Sequence, residues 1–220
     1  LKSVDPMILV VAALEEECLG LVGSWGLKLE LSVHGTPQKI YSGTRFGTSI
    51  KVVVTGVLQH NAVSMLSKLL IQGIPWAVVN FGCVGAYEGR GLRIGEAFFV
   101  AACHQYDVDF PTEIAWYTRP FLLQTTDMGV RRDVVCTTGS RFSLGQPGCD
   151  CEDMELYGLA SLASAHEIPL YSVKYVANYC NEDGPNDFER NVVTARAAGE
   201  GVATRLVDML CRKGKLCGKK

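Results

Sequence analysis

The polar residues of this chain that could do chemistry stand mostly where apolar runs end. Carboxylates follow the run 7–14 as Glu15, Glu16 and Glu17, and an amide, Asn178, follows the run 170–177. Glycines follow the run 76–81 in the segment 82–85, and a Gly-containing loop with one aromatic residue follows the run 134–136. Because ligands of open α/β sheets bind beyond the carboxyl ends of the strands, these residues are candidates for one shared cleft.

The candidate set favours polar, metal-free chemistry. It contains carboxylates, glycines, an amide and an aromatic residue, and it has no Ser/His/Asp set for nucleophilic catalysis. Cys149 and Cys151 form a pair, but no second Cys or His pair lies at zinc spacing. We therefore expect neither a metal nor an organic cofactor.

Each candidate also has an ordinary structural interpretation. Three acids in a row are favourable at a helix N-terminus, and the glycines of the segment 82–85 suit turns. Asp153 and Glu155 can cap a helix, Phe142 can belong to the core, and Asn178 is a common turn residue. The functional interpretation therefore depends on the order and spacing of all of them together.

Apolar periodicity predicts the elements that must position these groups. Strands are expected over residues 7–14, 39–46, 50–57, 76–81, 96–103, 134–138 and 170–177, and those at 7–14 and 76–81 are expected to be buried. Helices are expected from Asn61 to about Gly73, over residues 153–166, and from about Val192 to Cys211. Strand–helix alternation predicts a single three-layer αβα domain around a central mixed, largely parallel twisted sheet. Residues 109–132 are expected to form a loop or a dimer-facing segment.

Composition narrows the partners and the compartment. The formal net charge is −2 and the Lys and Arg residues form no long run, which argues against nucleic acid as a partner. No apolar stretch reaches the ~18 residues of a membrane span, and no signal peptide is visible, so we expect a cytoplasmic protein. Nine scattered cysteines indicate reduced thiols. We expect one domain over residues 7–212, a vector-derived remnant at 1–6, and a basic tail at 213–220.

The motifs, taken in order, resemble the nucleosidase branch of the nucleoside phosphorylase superfamily, with methylthioadenosine/adenosylhomocysteine nucleosidases and futalosine hydrolases as the nearest types. ILVVAALEEE resembles the first strand and its Ala-Met-Glu-Glu-Glu segment, and NFGCVGA resembles the Gly-Ser-Ala-Gly loop. YDVDF resembles a His-Asp-x-Asp segment and TTGSRF a Ser-Gly-Asp-x-Phe loop. EDMELYGLA resembles the Glu-Met-Glu helix start, and SVKYVAN the strand that ends in Ser-Asp. The resemblance runs from Met7 to about Leu210.

The resemblance implies a role for each matching residue. Glu17 takes the position of the carboxylate that activates water, and Asn178 that of the acid that protonates the leaving purine. Met154 and Glu155 match the pair that binds ribose. Phe142 matches the ring that stacks on the base, and Ser143 the position whose backbone hydrogen-bonds the base. Cys83, Val84 and Gly85 match the substrate-binding glycine loop.

These roles suit the chemistry that the resemblance implies. Breaking a purine–ribose bond builds an oxocarbenium-like sugar and a purine anion, so the leaving base needs a donor that is already in place. Water needs a general base, and the ribose hydroxyls need acceptors that bind more tightly in the transition state. The partner is accordingly a small purine nucleoside, and the family implies a homodimer.

Departures from the family pattern decide between its branches. Phosphorylases carry a Gly-Asp-Pro-x-Arg-like first loop, whereas this chain has three acids that would repel phosphate, so hydrolysis is expected. The usual Gly-x-Gly turn reads Gly56-Val57-Leu58, and the loop serine is replaced by Cys83. A catalytically dead nucleoside-binding module stays open as an alternative, since these positions and Asn178 depart from the pattern.

Asn178 stands where nucleosidases keep an aspartate. An amide cannot donate a proton as an acid but donates N–H hydrogen bonds. A 6-oxopurine presents two acceptors, O6 and N7, which suits the amide, and futalosine hydrolases carry an Asn at this strand end and release hypoxanthine. We therefore expect a futalosine hydrolase-like enzyme of menaquinone biosynthesis. A methylthioadenosine/adenosylhomocysteine or aminofutalosine nucleosidase that releases adenine is the alternative.

Overall fold

The structure, a computed structural model, describes residues 7–108, 119–141, 143–145 and 148–217. Its strands are β1 (Met7–Ala12), β2 (Lys28–Ser32), β3 (Lys39–Arg45), β4 (Thr48–Val54), β5 (Ala77–Ala86), β6 (Ala97–Gln105), β7 (Phe121–Leu122), β8 (Arg131–Thr138), β9 (Cys151–Asp153) and β10 (Leu170–Tyr179). Its helices are α1 (Glu15–Ser24), α2 (Gln59–Gln72), α3 (Leu156–Ala165) and α4 (Gly184–Cys217).

The strands form one mixed sheet that closes on itself at one end. Parallel pairs join β4 to β1, β1 to β5 and β5 to β10, while β3 and β2 extend the other end as antiparallel strands. From β10 the sheet continues through β6, β8 and β9, and β9 returns to pair with β5. The mixed α/β fold is therefore confirmed, with antiparallel pairs more frequent than the sequence indicated.

Helices cover both faces of the sheet, as the alternation of β1 shows. Leu9 and Val11 join a core cluster with α2 and α3, whereas Ile8 and Val10 join a second cluster with α1 and α4. Every one of these four side chains is at most 1% exposed. A strand buried on both faces has no polar side, which is why the first apolar run is continuous.

Several boundaries differ from the sequence-based expectations, because tertiary pairing extends the strands. The segment 82–85 was expected to follow its strand but lies inside β5, whose pairing continues to Ala86. Asn178 likewise lies inside β10, whose pairing continues to Tyr179. The helix expected over residues 153–166 begins only at Leu156, because Asp153 belongs to β9, which pairs with β8 and β5.

Other expectations were too short or too simple. The last helix begins at Gly184 and continues to Cys217, into the expected tail. Within the segment 109–132, residues 109–118 lie outside the described residues, while Phe121–Leu122 pairs with β6 and residues 131–132 belong to β8, so these parts are not loop. Eight cysteines are described, and all are free thiols. No described helix is long and apolar enough to cross a membrane.

Candidate active site

A cavity of about 270 Å³ lies at the carboxyl ends of β1, β5 and β10. This volume is close to the lower end of the range for small-molecule sites, ~300–1,000 Å³. Its described lining is Ala13, Leu14, Glu17, Val57, Cys83, Val84, Gly85, Arg141, Glu152, Asp153, Met154, Glu155, Asn178 and Phe188. Seven of these are residues that the sequence placed in the site, so the cleft expected from the strand order is formed.

Glu17 is a buried carboxylate in the first turn of α1. Its Oε2 accepts the backbone N–H groups of Ala13 (3.1 Å) and Leu14 (2.9 Å), and thereby caps the helix. Its Oε1 accepts the backbone N–H of Cys83 at 2.8 Å and the Cys83 thiol at 3.0 Å. Glu17 therefore caps the N-terminus of α1, as the structural interpretation of the three acids expected. The same hydrogen bonds hold its carboxylate at the wall of the cavity. The Cys83 thiol donates to Glu17 at the position where the family has a serine.

Glu155 enters the cavity from the start of α3. Its Oε1 accepts the backbone N–H of Leu58 at 2.9 Å, and the residue is only 7% exposed. Burial, with the nearby charge of Asp153, raises its pKa to about 8, although Lys174 and the Leu58 N–H oppose the shift. Such a carboxyl titrates near neutral pH, a property that functional sites often show.

A buried ion pair lies beneath Glu155. The Lys174 ammonium is 2.8 Å from Asp153, and both side chains are 1% exposed. Asp153 also accepts the Thr138 hydroxyl at 2.6 Å and the Leu156 backbone N–H at 3.1 Å. Burial lowers the pKa of Lys174, but the carboxylates of Asp153 and Glu155 outweigh it and the pKa is raised. The negative charge of Asp153 is therefore balanced by Lys174. Glu155 is stabilised by the same ammonium group, which it shares with Asp153.

Asn178 reaches the cavity through a β-bulge in β10. The register shifts between Val176 and Asn178, so that Asn178 lies directly beside Gly85 of β5. Bulges re-aim side chains, and this one brings the amide to the cavity. Its Nδ2 donates to the backbone oxygen of Tyr179 at 2.9 Å, which fixes the NH₂ end and leaves its second hydrogen for another acceptor.

Leu58 stands where the family pattern has the second glycine of a Gly-x-Gly turn. Its φ is 84° and its ψ 141°, a conformation that glycine adopts far more readily than leucine. The backbone at Leu58 thus has a conformation that would suit a glycine, although the residue is a leucine. This shape aims the Leu58 N–H at Glu155.

Two predicted site residues are not in the described lining. Ser143 lies outside it, and its backbone N–H and hydroxyl both donate to Glu152, the hydroxyl at 2.6 Å. The backbone N–H at the position whose backbone was expected to meet the base is therefore already bound to a carboxylate. Phe142 lies outside the described residues, and its stacking role stays a prediction.

Seven residues of the described lining were not among the predicted site residues: Ala13, Leu14, Val57, Arg141, Glu152, Asp153 and Phe188. Phe188 belongs to α4, and the early start of that helix brings it to the cavity. Glu152 pairs in β9 with Gly85, which only the long-range pairing places at the site. Arg141 and Glu152 belong to the motifs TTGSRF and EDMELYGLA, which were the available signal for them, whereas no motif contains Phe188. Among the described residues, no cluster of His, Cys, Asp or Glu has a geometry that could hold a metal ion.

Known proteins similar to this chain were compared with it in sequence and in structure. No family model matches the chain. A 5′-methylthioadenosine nucleosidase of Arabidopsis thaliana is 24% identical, over 96% of this chain and 89% of that protein. A 5′-methylthioadenosine/S-adenosylhomocysteine nucleosidase of Shewanella sp. (strain MR-7) is 23% identical, over 84% of this chain and 89% of that protein.

Solved structures show the same fold. The apo form of Arabidopsis thaliana 5′-methylthioadenosine nucleosidase aligns with a TM-score of 0.83 and 22% identity, over 93% of this chain and 96% of that one. Futalosine hydrolase of Helicobacter pylori aligns with a TM-score of 0.79 and 13% identity, over 93% and 98% of the two chains.

The fold and the sequence similarity point to the same class of proteins. It has the nucleoside phosphorylase-like αβα fold, with the cavity at the strand ends that its motifs predicted. Along nearly its whole length it is similar in sequence to the nucleosidase branch of that superfamily, and more particularly to 5′-methylthioadenosine nucleosidases. The resemblance stated from the motifs is confirmed.

Proposed function

We propose that this protein is a purine nucleosidase, a hydrolase that splits the N-glycosyl bond between ribose and a purine base. The observation that carries the proposal is the convergence of Glu17, Glu155 and Asn178 on one cavity, from three different elements. These are the water-side carboxylate, the ribose acceptor and the base-side donor that the reaction requires. The sequence similarity to nucleosidases supports the same activity.

Glu17 is the proposed general base. Four donors surround its carboxylate, and a carboxylate has about four lone-pair sites, so a water must share a site with one of them. The Cys83 thiol is the weakest donor of the four and the only side chain, so it is the one that can turn aside. Water bound there loses its proton to Glu17 as it attacks the sugar carbon.

Glu155 is the proposed acceptor for the ribose hydroxyls. It is buried, its Oε1 accepts the Leu58 N–H, and the residue lines the cavity. A charged acceptor strengthens its hydrogen bonds as positive charge develops on the sugar, so it stabilises the transition state more than the substrate. Met154, beside it in the lining, supplies an apolar contact.

Hydrolysis fits the charges of the cavity better than phosphorolysis. Arg141 is the only Lys or Arg in the described lining, whereas Glu17, Glu152, Asp153 and Glu155 all line it. A dianionic phosphate close to this excess of carboxylates is repelled. Turnover without phosphate is therefore the expected behaviour.

The base that we propose is a 6-oxopurine, as in futalosine. The second Nδ2 hydrogen of Asn178 can donate to N7 or O6, both of which are acceptors. The similar proteins named above favour a second candidate, a methylthioadenosine-type nucleoside that releases adenine. Both share the ribose and water sites, so they differ only at the base and at the 5′ substituent.

A substrate panel tests the proposal. Futalosine, aminofutalosine, methylthioadenosine, adenosylhomocysteine and inosine are incubated with the protein in phosphate-free buffer, and the released base is identified by chromatography. We expect hypoxanthine release from futalosine. Faster release of adenine from methylthioadenosine would transfer the assignment to the second candidate. No base release, with nucleoside binding retained, would make the protein a binding module.

An exchange at Asn178 tests the base assignment. Asn178→Asp should lower activity on futalosine, because a carboxylate would face O6 without a matching donor. It should raise activity on aminofutalosine, whose 6-amino group donates. Wild-type preference for methylthioadenosine over futalosine would contradict this assignment.

The proposal also includes the wider setting of the enzyme. We propose a homodimer, as the family implies, which sedimentation equilibrium can test; a monomer at micromolar concentration would contradict it.

We propose one domain over residues 7–212, a cytoplasmic location, and a place in menaquinone biosynthesis if futalosine is the substrate.

A further inference from the structure

Two polar side chains converge over Gly85 from opposite sides. In the sheet, Gly85 pairs with Glu152 of β9 on one side and with Asn178 of β10 on the other. A Cβ atom added at Gly85 would lie 2.6 Å from Cys180 Sγ, 3.1 Å from Asn178 Nδ2 and 3.7 Å from Glu152 Cγ. These side chains therefore pack closely around Gly85, and Gly85, Asn178 and Glu152 all line the cavity.

Glu152 is arranged as an acceptor. Its Oε2 accepts the hydroxyls of Ser143 at 2.6 Å and Tyr87 at 3.0 Å, and the Ser143 backbone N–H donates to the carboxylate at 3.1 Å. Glu152 is 6% exposed. Every described polar partner is a donor, so a ligand atom that meets this carboxylate must be a donor too.

We propose that Glu152 is a specificity-determining residue that accepts a hydrogen bond from N1–H of a 6-oxopurine. The inference rests on the proposed function, and deepens it by naming a second residue that reads the base. Asn178 faces N7 and O6 as a donor, and past these two acceptors the next polar atom along the base edge is N1. In hypoxanthine N1 carries a hydrogen, whereas in adenine it is an acceptor whose lone pair would face the carboxylate.

The occupied backbone of Ser143 supports this assignment. A free backbone N–H at that position would suit an acceptor such as adenine N1. Here the Ser143 N–H donates to Glu152, so the group that remains available to the base is the Glu152 carboxylate, which is an acceptor. This edge of the site therefore presents an acceptor where a free N–H would present a donor. Such a site rejects adenine, because the N1 acceptor would leave the buried Glu152 carboxylate without a donor.

A merely structural role for Glu152 would have a different signature. Glu152 anchors the segment around Ser143 and the ring of Tyr87. If anchoring were its whole role, disturbing the cluster would lower activity on every purine nucleoside to the same extent. A role in reading the base instead changes the ratio between two bases.

The test uses two substrates that differ only in the base, 5′-methylthioinosine and 5′-methylthioadenosine. Their kcat/KM values are measured for the wild type, for Glu152→Gln, and for Tyr87→Phe as the matched control. The Gln amide can donate to N1 of adenine, so Glu152→Gln should shift the ratio toward adenine by about 10- to 100-fold, the range for a hydrogen bond to a charged group. Tyr87→Phe removes a bond to Glu152 but keeps the carboxylate, so the ratio should stay within about twofold of wild type, well below that effect.

The outcomes separate this inference from the proposed function. An unchanged ratio in Glu152→Gln, or a shift toward hypoxanthine, overturns the inference while leaving the nucleosidase activity in place. If the wild type cleaves neither substrate, the proposed function fails, and calorimetric binding of free hypoxanthine and adenine then tests Glu152 without turnover. If Glu152→Gln does not fold, wild-type protein is compared on inosine and 1-methylinosine, and equal rates overturn the inference.

Discussion

The titration of Glu155 gives the sharpest prediction for wild-type protein. Burial and the charge of Asp153 raise its pKa to about 8. With that pKa, about one tenth of the free protein carries the ionised carboxylate at pH 7 and about nine tenths at pH 9. Since the ionised form is the stronger acceptor for ribose hydroxyls, kcat/KM should rise about ninefold over this interval, because kcat/KM follows the free enzyme.

The same shift makes folding depend on pH with a definite sign. The folded pKa lies above that of an unfolded glutamate, about 4.3, so the protonated form is favoured by folding. The resulting stability is fully present below pH 4 and is lost as pH rises through 8. A difference of nearly four pKa units corresponds to about 5 kcal/mol. Glu155→Gln should therefore be more stable than wild type at pH 9, and the gap should close toward pH 4.

The assay combines kinetics and unfolding. Initial rates of base release over pH 6–9.5 give the profile of kcat/KM, and urea denaturation at pH 5, 7 and 9 gives the free energy of unfolding. Glu155→Gln is the control, because it keeps the shape and removes the titration. A wild-type profile that is flat between pH 6 and 9, or a rise that persists unchanged in Glu155→Gln, would refute the reasoning.

Three further changes have expected outcomes. Glu17→Gln should lower kcat by ~10²–10⁴-fold in steady-state assays, and a variant that keeps more than a tenth of the wild-type rate would remove Glu17 from water activation. Lys174→Met should cost about 3–5 kcal/mol in urea unfolding, because it leaves Asp153 charged and unpaired; a loss below about 1 kcal/mol would mean that Asp153 becomes neutral at little cost. Leu58→Gly should raise the melting temperature relative to Leu58→Ala, because only glycine relieves a strain of ~1–3 kcal/mol at φ 84°; equal melting temperatures would argue against strain.

The local sequence determined most of the elements and half of the residues that line the cavity. The continuous apolar run of β1 predicts a strand buried on both faces, and Leu9 and Ile8 indeed pack on opposite layers. The stripe of α2 likewise predicted its buried side chains, Met65 and Leu66 among them. Periodicity carries this information because each side chain's burial follows from the geometry of its own element.

The tertiary structure decided which polar groups meet and in what state. Nothing local to Glu152 shows that it faces Asn178 across Gly85, since that contact depends on β9 and β10 both pairing with β5. Nor does the sequence show that Leu58 keeps a glycine-like backbone and aims its N–H at Glu155. The pKa of Glu155 is likewise a property of the fold, because burial and the charges of Asp153 and Lys174 act through space. Sequence spacing reports neighbours along the chain, whereas these interactions join residues that only long-range strand pairing brings within hydrogen-bond distance.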